Sequence, residues 1–250
     1  MLTGSVVDTL SAQEFQRVIL DRASDGDLRA IAADLRHKSE SLQELLCGDL
    51  SLSDRASLHR VLRWVFSTRR RADKILDAIG PEALAAAIAG LLDEGEPVAD
   101  RIDRFDAALA GLDGAPCLAG PGSDLPFELL HFTSPDQYWL WTKWLWDPNA
   151  RTGALALVTT EDVELGHSAP RGTGYLAVGR VTAFVEETGK AAGFTAVGEG
   201  LFGTDVFLAA VYGIHMYTVL RMQMTREFTK VIPPLPDLVR RLLGVYHLEG

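Results

Sequence analysis

Ser53-Asp-Arg-Ala-Ser-Leu-His-Arg-Val-Leu-Arg-Trp-Val65 decides the fold class. Its apolar residues Leu58, Val61, Leu62 and Val65 recur at intervals of three and four. That interval lines one face of an α-helix, whereas a half-buried strand would alternate. Ser51 or Ser53 supplies a side-chain oxygen to cap it. The same grammar extends outward. Ser11-Ala-Gln-Glu14 reads as a capping box before Phe15, Val18 and Ile19. A second helix runs through Leu28, Ile31, Ala32 and Leu35, and a third holds Leu42, Leu45 and Leu46. Pro81 at a first turn opens an alanine-rich helix to Leu92, and another covers Val98 to Leu112.

Beyond Leu112 the pattern breaks. Residues 111–126 hold four glycines and three prolines, which interrupt regular structure. Helices resume at 174–189, 204–224 and 236–243, the last opened by Pro236 and stopped by Gly244. Gly153 to Thr159 is the only segment that reads as a strand, and one strand does not make a sheet. The expectation is an all-α, compact multi-helix fold, with two lobes about 111–126 as its variant: an N-terminal helical region 1–112 and a C-terminal one 113–250.

Composition narrows the class. The chain has 250 residues, 47% hydrophobic and 23% charged, with a formal net charge of −10. These values describe an ordinary globular protein, and its acidity weighs against nucleic-acid or anionic-membrane partners unless a local patch overrides it. Cys47 and Cys117 are isolated from any metal-ligand spacing, so a reduced, cytoplasmic protein without a metal site or cofactor is expected. The most apolar stretch, Val206 to Leu220, is shorter than the ~20 residues a membrane span needs, so no membrane insertion is expected.

Four of the five tryptophans lie between Trp139 and Trp146. Ser134, Pro135, Asp136 and Gln137 before them read as a helix start. At about 100° per residue, such a helix sets Trp139 and Trp146 on one face and Trp141 and Trp144 on the other. The second face, with Lys143 nearby, is the candidate surface for a flat ligand or a protein partner; ordinary core packing is its structural alternative.

The segment before it, Leu118-Ala-Gly-Pro-Gly-Ser-Asp-Leu-Pro-Phe-Glu-Leu-Leu-His-Phe132, resembles the helix-hairpin-helix of the DNA glycosylases. Gly120 and Gly122 match the two hairpin glycines, and Leu129, Leu130 and Phe132 match apolar positions of the following helix. The resemblance implies that the glycine N–H groups approach a DNA phosphate, where a Cβ would obstruct them. It covers about thirty residues and departs at the catalytic positions. Asp124 stands where a lyase-type member has its nucleophilic lysine, Pro126 replaces a small residue, and Trp141 or Thr142 occupies the region of the catalytic aspartate. The resemblance therefore implies binding without intact glycosylase catalysis.

A basic stretch points the same way. Arg55, Arg60, Arg63, Arg69, Arg70, Arg71 and Lys74 are opposed within their segment only by Asp73. Guanidinium forks suit phosphate, so Arg60, Arg63, Arg70, Arg71 and Lys74 join Gly120 and Gly122 as candidate nucleic-acid contacts. The bland alternative is a solvated face neutralised by neighbouring carboxylates.

Weaker features remain. Gly198-Glu-Gly-Leu-Phe-Gly203 has dinucleotide-loop spacing without the required βαβ context. Glu161, Asp162, Glu164 and His167 share a polar loop whose spacing fits no metal-binding pattern. His215, in an apolar helix, is the one candidate acid or base, with a core role as its alternative. The leading expectation is a helix-hairpin-helix-like protein that binds DNA. The alternatives are a non-enzymatic accessory protein meeting a partner through Trp141 and Trp144, and an enzyme for a small aromatic ligand using His215.

Overall fold

The computed structural model describes residues 6–47, 54–110, 124–165, 170–194, 200–223 and 233–246. Eleven helices and no strand occur among the described residues, so the fold is all-α. They are α1 (Thr9–Leu20), α2 (Asp25–Cys47), α3 (Arg55–Trp64), α4 (Ala72–Ile79), α5 (Pro81–Leu92), α6 (Val98–Ala110), α7 (Leu125–Thr133), α8 (Ala154–Val158), α9 (Arg171–Ala192), α10 (Gly203–Gln223) and α11 (Leu235–Leu242). The chain divides into two compact units. One comprises Met1–Arg36, Lys143–Glu164 and Arg180–Gly250; the other comprises His37–Thr142 and Leu165–Gly179. Helices α2 and α9 supply residues to both.

In the first unit α10 contacts α1, α8 and α11, and α1 also packs on α8. Residues 206–211 of α10, Val-Phe-Leu-Ala-Ala-Val, are all buried, and Phe194 stacks against Phe207 at 5.1 Å. The α11 helix ends as its sequence suggests. Gly244 adopts a left-handed φ of 73°, and the N–H groups of Gly244 and Val245 return to the carbonyls of Arg241 and Arg240. Those bonds satisfy two of the carbonyls orphaned at the helix end.

In the second unit α3, α4, α5, α6 and α7 pack together. Arg55 of α3 pairs with Asp77 of α4, and His59 lies 3.5 Å from Asp73, so the two helices run antiparallel. Helix α7 is enclosed: all nine of its residues are buried. No single helix among the described residues is long and apolar enough to cross a membrane, and the apolar pair α4 and α5 bends by 99° at Gly80.

Several sequence expectations are corrected. Asp8, not Ser11, caps α1, its carboxylate accepting from the Ser11 amide and hydroxyl. Ser11 is thereby the recipient of a cap, and Glu14 pairs with Arg17 instead. Asp54 caps α3 through the amides of Ala56 and Ser57, while Ser51 and Ser53 lie outside the described residues. The helices read separately at 28–35 and 42–46 are one helix, α2, because Lys38 and Ser39 continue the buried stripe through the polar middle. A true capping box opens it, Ser24 and Asp27 exchanging bonds in both directions. Helix α4 was not anticipated. The segment read as a strand, 153–159, forms α8 instead.

The largest correction concerns the tryptophans. Ser134-Pro-Asp-Gln137 gives a single turn, with the Gln137 and Tyr138 amides donating to the Ser134 carbonyl, and the chain then runs irregularly to residue 146. Its carbonyls are claimed from outside. Those of Tyr138 and Trp139 bond His131 Nδ1 and Tyr175 Oη, and those of Trp144 and Leu145 accept from Ala154 and Leu155. Tertiary contacts thus replace the i→i−4 ladder that the local pattern favoured. Gly153 permits the approach: at φ 146°, an added Cβ would lie 2.4 Å from the Leu145 oxygen.

Candidate functional site

The basic stretch occupies the closed end of the α3–α4 hairpin in the second unit. Helix α3 stops at Val65, whose extended backbone turns the chain. Val65 and Thr68 then face inward, both fully buried, and Thr68 Oγ1 donates to the carbonyls of Leu62 and Val65. The Arg69 amide returns to Val65 and the Arg71 amide to Thr68, so the turn is internally bonded. With Val65 and Thr68 turned inside, Phe66, Arg70 and Arg71 lie outside.

Charges sort along this hairpin. At its open end Arg55 is neutralised by Asp77 at 2.7 Å, while Asp73, in the first turn of α4 and nearer the connecting turn, lies 3.8 Å from Arg55 and 3.5 Å from His59. Toward the turn Arg60, Arg63, Arg70, Arg71 and Lys74 are exposed, and none has a carboxylate within ion-pair distance among the described residues. Arg60 donates to the Ser57 hydroxyl and its charge helps hold the Asp54 carboxyl below its ordinary value, and Arg63 donates to the Arg69 carbonyl at 3.3 Å. The Arg69 guanidinium lies 4.7 Å from the centre of the Phe66 ring. This end of the hairpin is therefore a cationic surface inside an acidic chain.

Beneath the turn lies a buried ion pair. Lys38 Nζ donates to Glu128 Oε2 at 2.7 Å, with both side chains almost wholly out of solvent. The ammonium also sits 4.1 Å from the centre of the Phe132 ring, and the Phe66 amide approaches the same Glu128 oxygen at 3.5 Å. These contacts offset part of the cost of taking polar groups out of water.

Further polar groups are held around α7. Arg101, buried, donates to the Leu91 carbonyl and to Tyr138 Oη at 2.7 Å. Arg171 binds both oxygens of Asp106 and lies 4.6 Å over Phe127. Phe127 stacks flat on Tyr175, whose phenol is pushed up by its burial. Sequence reading missed Lys38, Arg101 and Glu128. The signal was present, because Lys38 falls on the 28–46 stripe and Arg101 on that of Ile102, Phe105 and Leu109.

The other expected site residues are dispersed. Gly120 and Gly122 lie outside the described residues. Trp141 is buried against Phe127, ring centres 4.7 Å apart, and Lys143 is exposed. Trp144 belongs to the other unit, where its indole N–H donates to the Leu242 carbonyl and its ring meets Tyr212. The helix expected to set Trp141 and Trp144 on one face does not form over these residues. His215 is half-buried rather than central, 6.1 Å from the Tyr212 ring, and has no hydrogen-bond partner among the described residues. Glu161, Asp162 and Glu164 form no metal-holding group among the described residues, and His167 lies outside them.

No protein-family model, no curated protein and no solved structure matches this chain.

Proposed function

We propose that the protein binds nucleic acid through the cationic end of the α3–α4 hairpin, gripping phosphates with Arg60, Arg63, Arg70, Arg71 and Lys74. The observation that carries this reading is that, among the described residues, Arg63, Arg70, Arg71 and Lys74 have no carboxylate within ion-pair distance, while Arg60 acts on Asp54 only through space. A solvated face balanced by its neighbours would resemble the open end of the same hairpin, where Arg55 and Asp77 pair. Unbalanced, exposed guanidinium groups on a bonded turn are available to release counterions from a phosphate backbone. The hairpin glycines Gly120 and Gly122 belong to the same proposal through the resemblance to the glycosylase motif. The role is binding rather than base excision, since Trp141 and Thr142, near the motif's catalytic position, are buried in the core.

The test is fluorescence anisotropy with labelled single-stranded and duplex DNA across a salt series. Affinity is expected to fall steeply as salt rises. Arg70→Gln combined with Arg71→Gln should flatten the log–log slope by about 2 units, one for each lost phosphate contact. Absence of binding to either DNA form at low salt refutes the proposal.

A further inference from the structure

Phe66 is the residue that the phosphate-binding reading leaves unused. It is 42% exposed, an uncommon setting for a phenylalanine, and it lies on the turn between Arg63 and Arg69. Its neighbours in the turn explain why it cannot retreat. Val65 before it and Thr68 after it are both fully buried, and the turn's own hydrogen bonds fix their order. The Phe66 amide points to Glu128, which the buried Lys38 holds in place. The backbone that carries the ring is thus tied to the core while the ring faces solvent. Arg69 stands against the ring at 4.7 Å and adds a second planar group.

An exposed aromatic ring on a turn that also carries the exposed cations Arg63, Arg70 and Arg71 matches the chemistry of unpaired nucleobases on a phosphate chain. The cations take the backbone, and the ring offers a stacking surface that every base can use. In a duplex the base faces are already stacked on one another, so the ring gains nothing there. We infer that Phe66 is a stacking platform and that the partner is single-stranded nucleic acid. This inference rests on the phosphate-binding reading above, and its test separates the two.

Anisotropy is measured with three labelled probes of equal length: oligothymidine, the same strand annealed to its complement, and an abasic phosphate–deoxyribose oligomer. The wild-type protein is expected to bind oligothymidine more tightly than either of the others. Phe66→Ala should lose about tenfold in affinity for oligothymidine and change little toward the abasic oligomer, while Phe66→Trp should retain the wild-type order. Equal binding of all three probes by the wild type, with no effect of Phe66→Ala, overturns the stacking platform and leaves phosphate binding standing. No binding of any probe overturns both. Unchanged thermal unfolding of Phe66→Ala establishes that a loss reflects the ring and not the fold.

Discussion

Helix α7 and residues 206–211 of α10 are equally hidden from water but are composed by different rules. The α10 stretch is apolar throughout. Helix α7 carries Glu128 and His131 in its middle, and each needs a partner from elsewhere in the chain. Glu128 finds Lys38, ninety residues earlier, and His131 bonds the Tyr138 carbonyl. Apolar burial needs only volume, whereas charged burial needs a partner at the right distance. The difference teaches that residues 206–211 of α10 are placed by shape alone, whereas α7 is placed by shape and charge together.

The comparison breaks most sharply at Glu128. Glu128→Ala strands the Lys38 ammonium in the core and should lower stability by about 4 kcal/mol in urea unfolding. The pair Lys38→Met with Glu128→Leu should recover nearly all of that loss, since no charge is left unpaired. A double variant as unstable as Glu128→Ala would contradict this account. On the other side, Leu208→Ala in α10 should cost about 3 kcal/mol through the cavity it leaves, with the same method as the check. The smallest effect concerns a charge near solvent. Asp8→Ala removes the α1 cap and should cost about 1 kcal/mol at neutral pH. Hydrogen bonds from the Ser11 side chain and amide hold the Asp8 carboxyl below its ordinary value of 3.8. Its contribution is therefore complete above pH 3.8 and vanishes as pH falls through the lower folded value. The wild-type and Asp8→Ala stability curves should merge in acid; a constant gap there would refute the assignment.

The same contrast explains which features were legible in the sequence. Helices α5, α9, α10 and α11 could be read because their spacing and end signals agree with their environment, as with Pro81 and Gly244. The charged core could not, because Lys38 looks locally like a solvent residue and broke a continuous helix into two. The tryptophan segment failed for the opposite reason. Its local start signal is genuine but governs only one turn, and the carbonyls that follow are taken by His131, Tyr175, Ala154 and Leu155. No local pattern announces partners that distant. The cationic stretch was visible as composition, but which of its members pair with carboxylates, as Arg55 does with Asp77, and the exposure of Phe66 emerge only when α3 and α4 fold against each other.

The Lys38–Glu128 pair has one more consequence, for alignment. Leu28, Ile31, Leu35, Leu42 and Leu45 repeat along α2 with nearly interchangeable shapes. A slide by one turn would bury much the same apolar area. It would also carry the ammonium about 5.4 Å from its carboxylate, leaving two charges in oil. Together with the bonds from Ser39 and Gln43 to the carbonyls of Phe132 and Thr133, the pair thus acts as a ratchet tooth that penalises a shifted register of this end of α2 against α7.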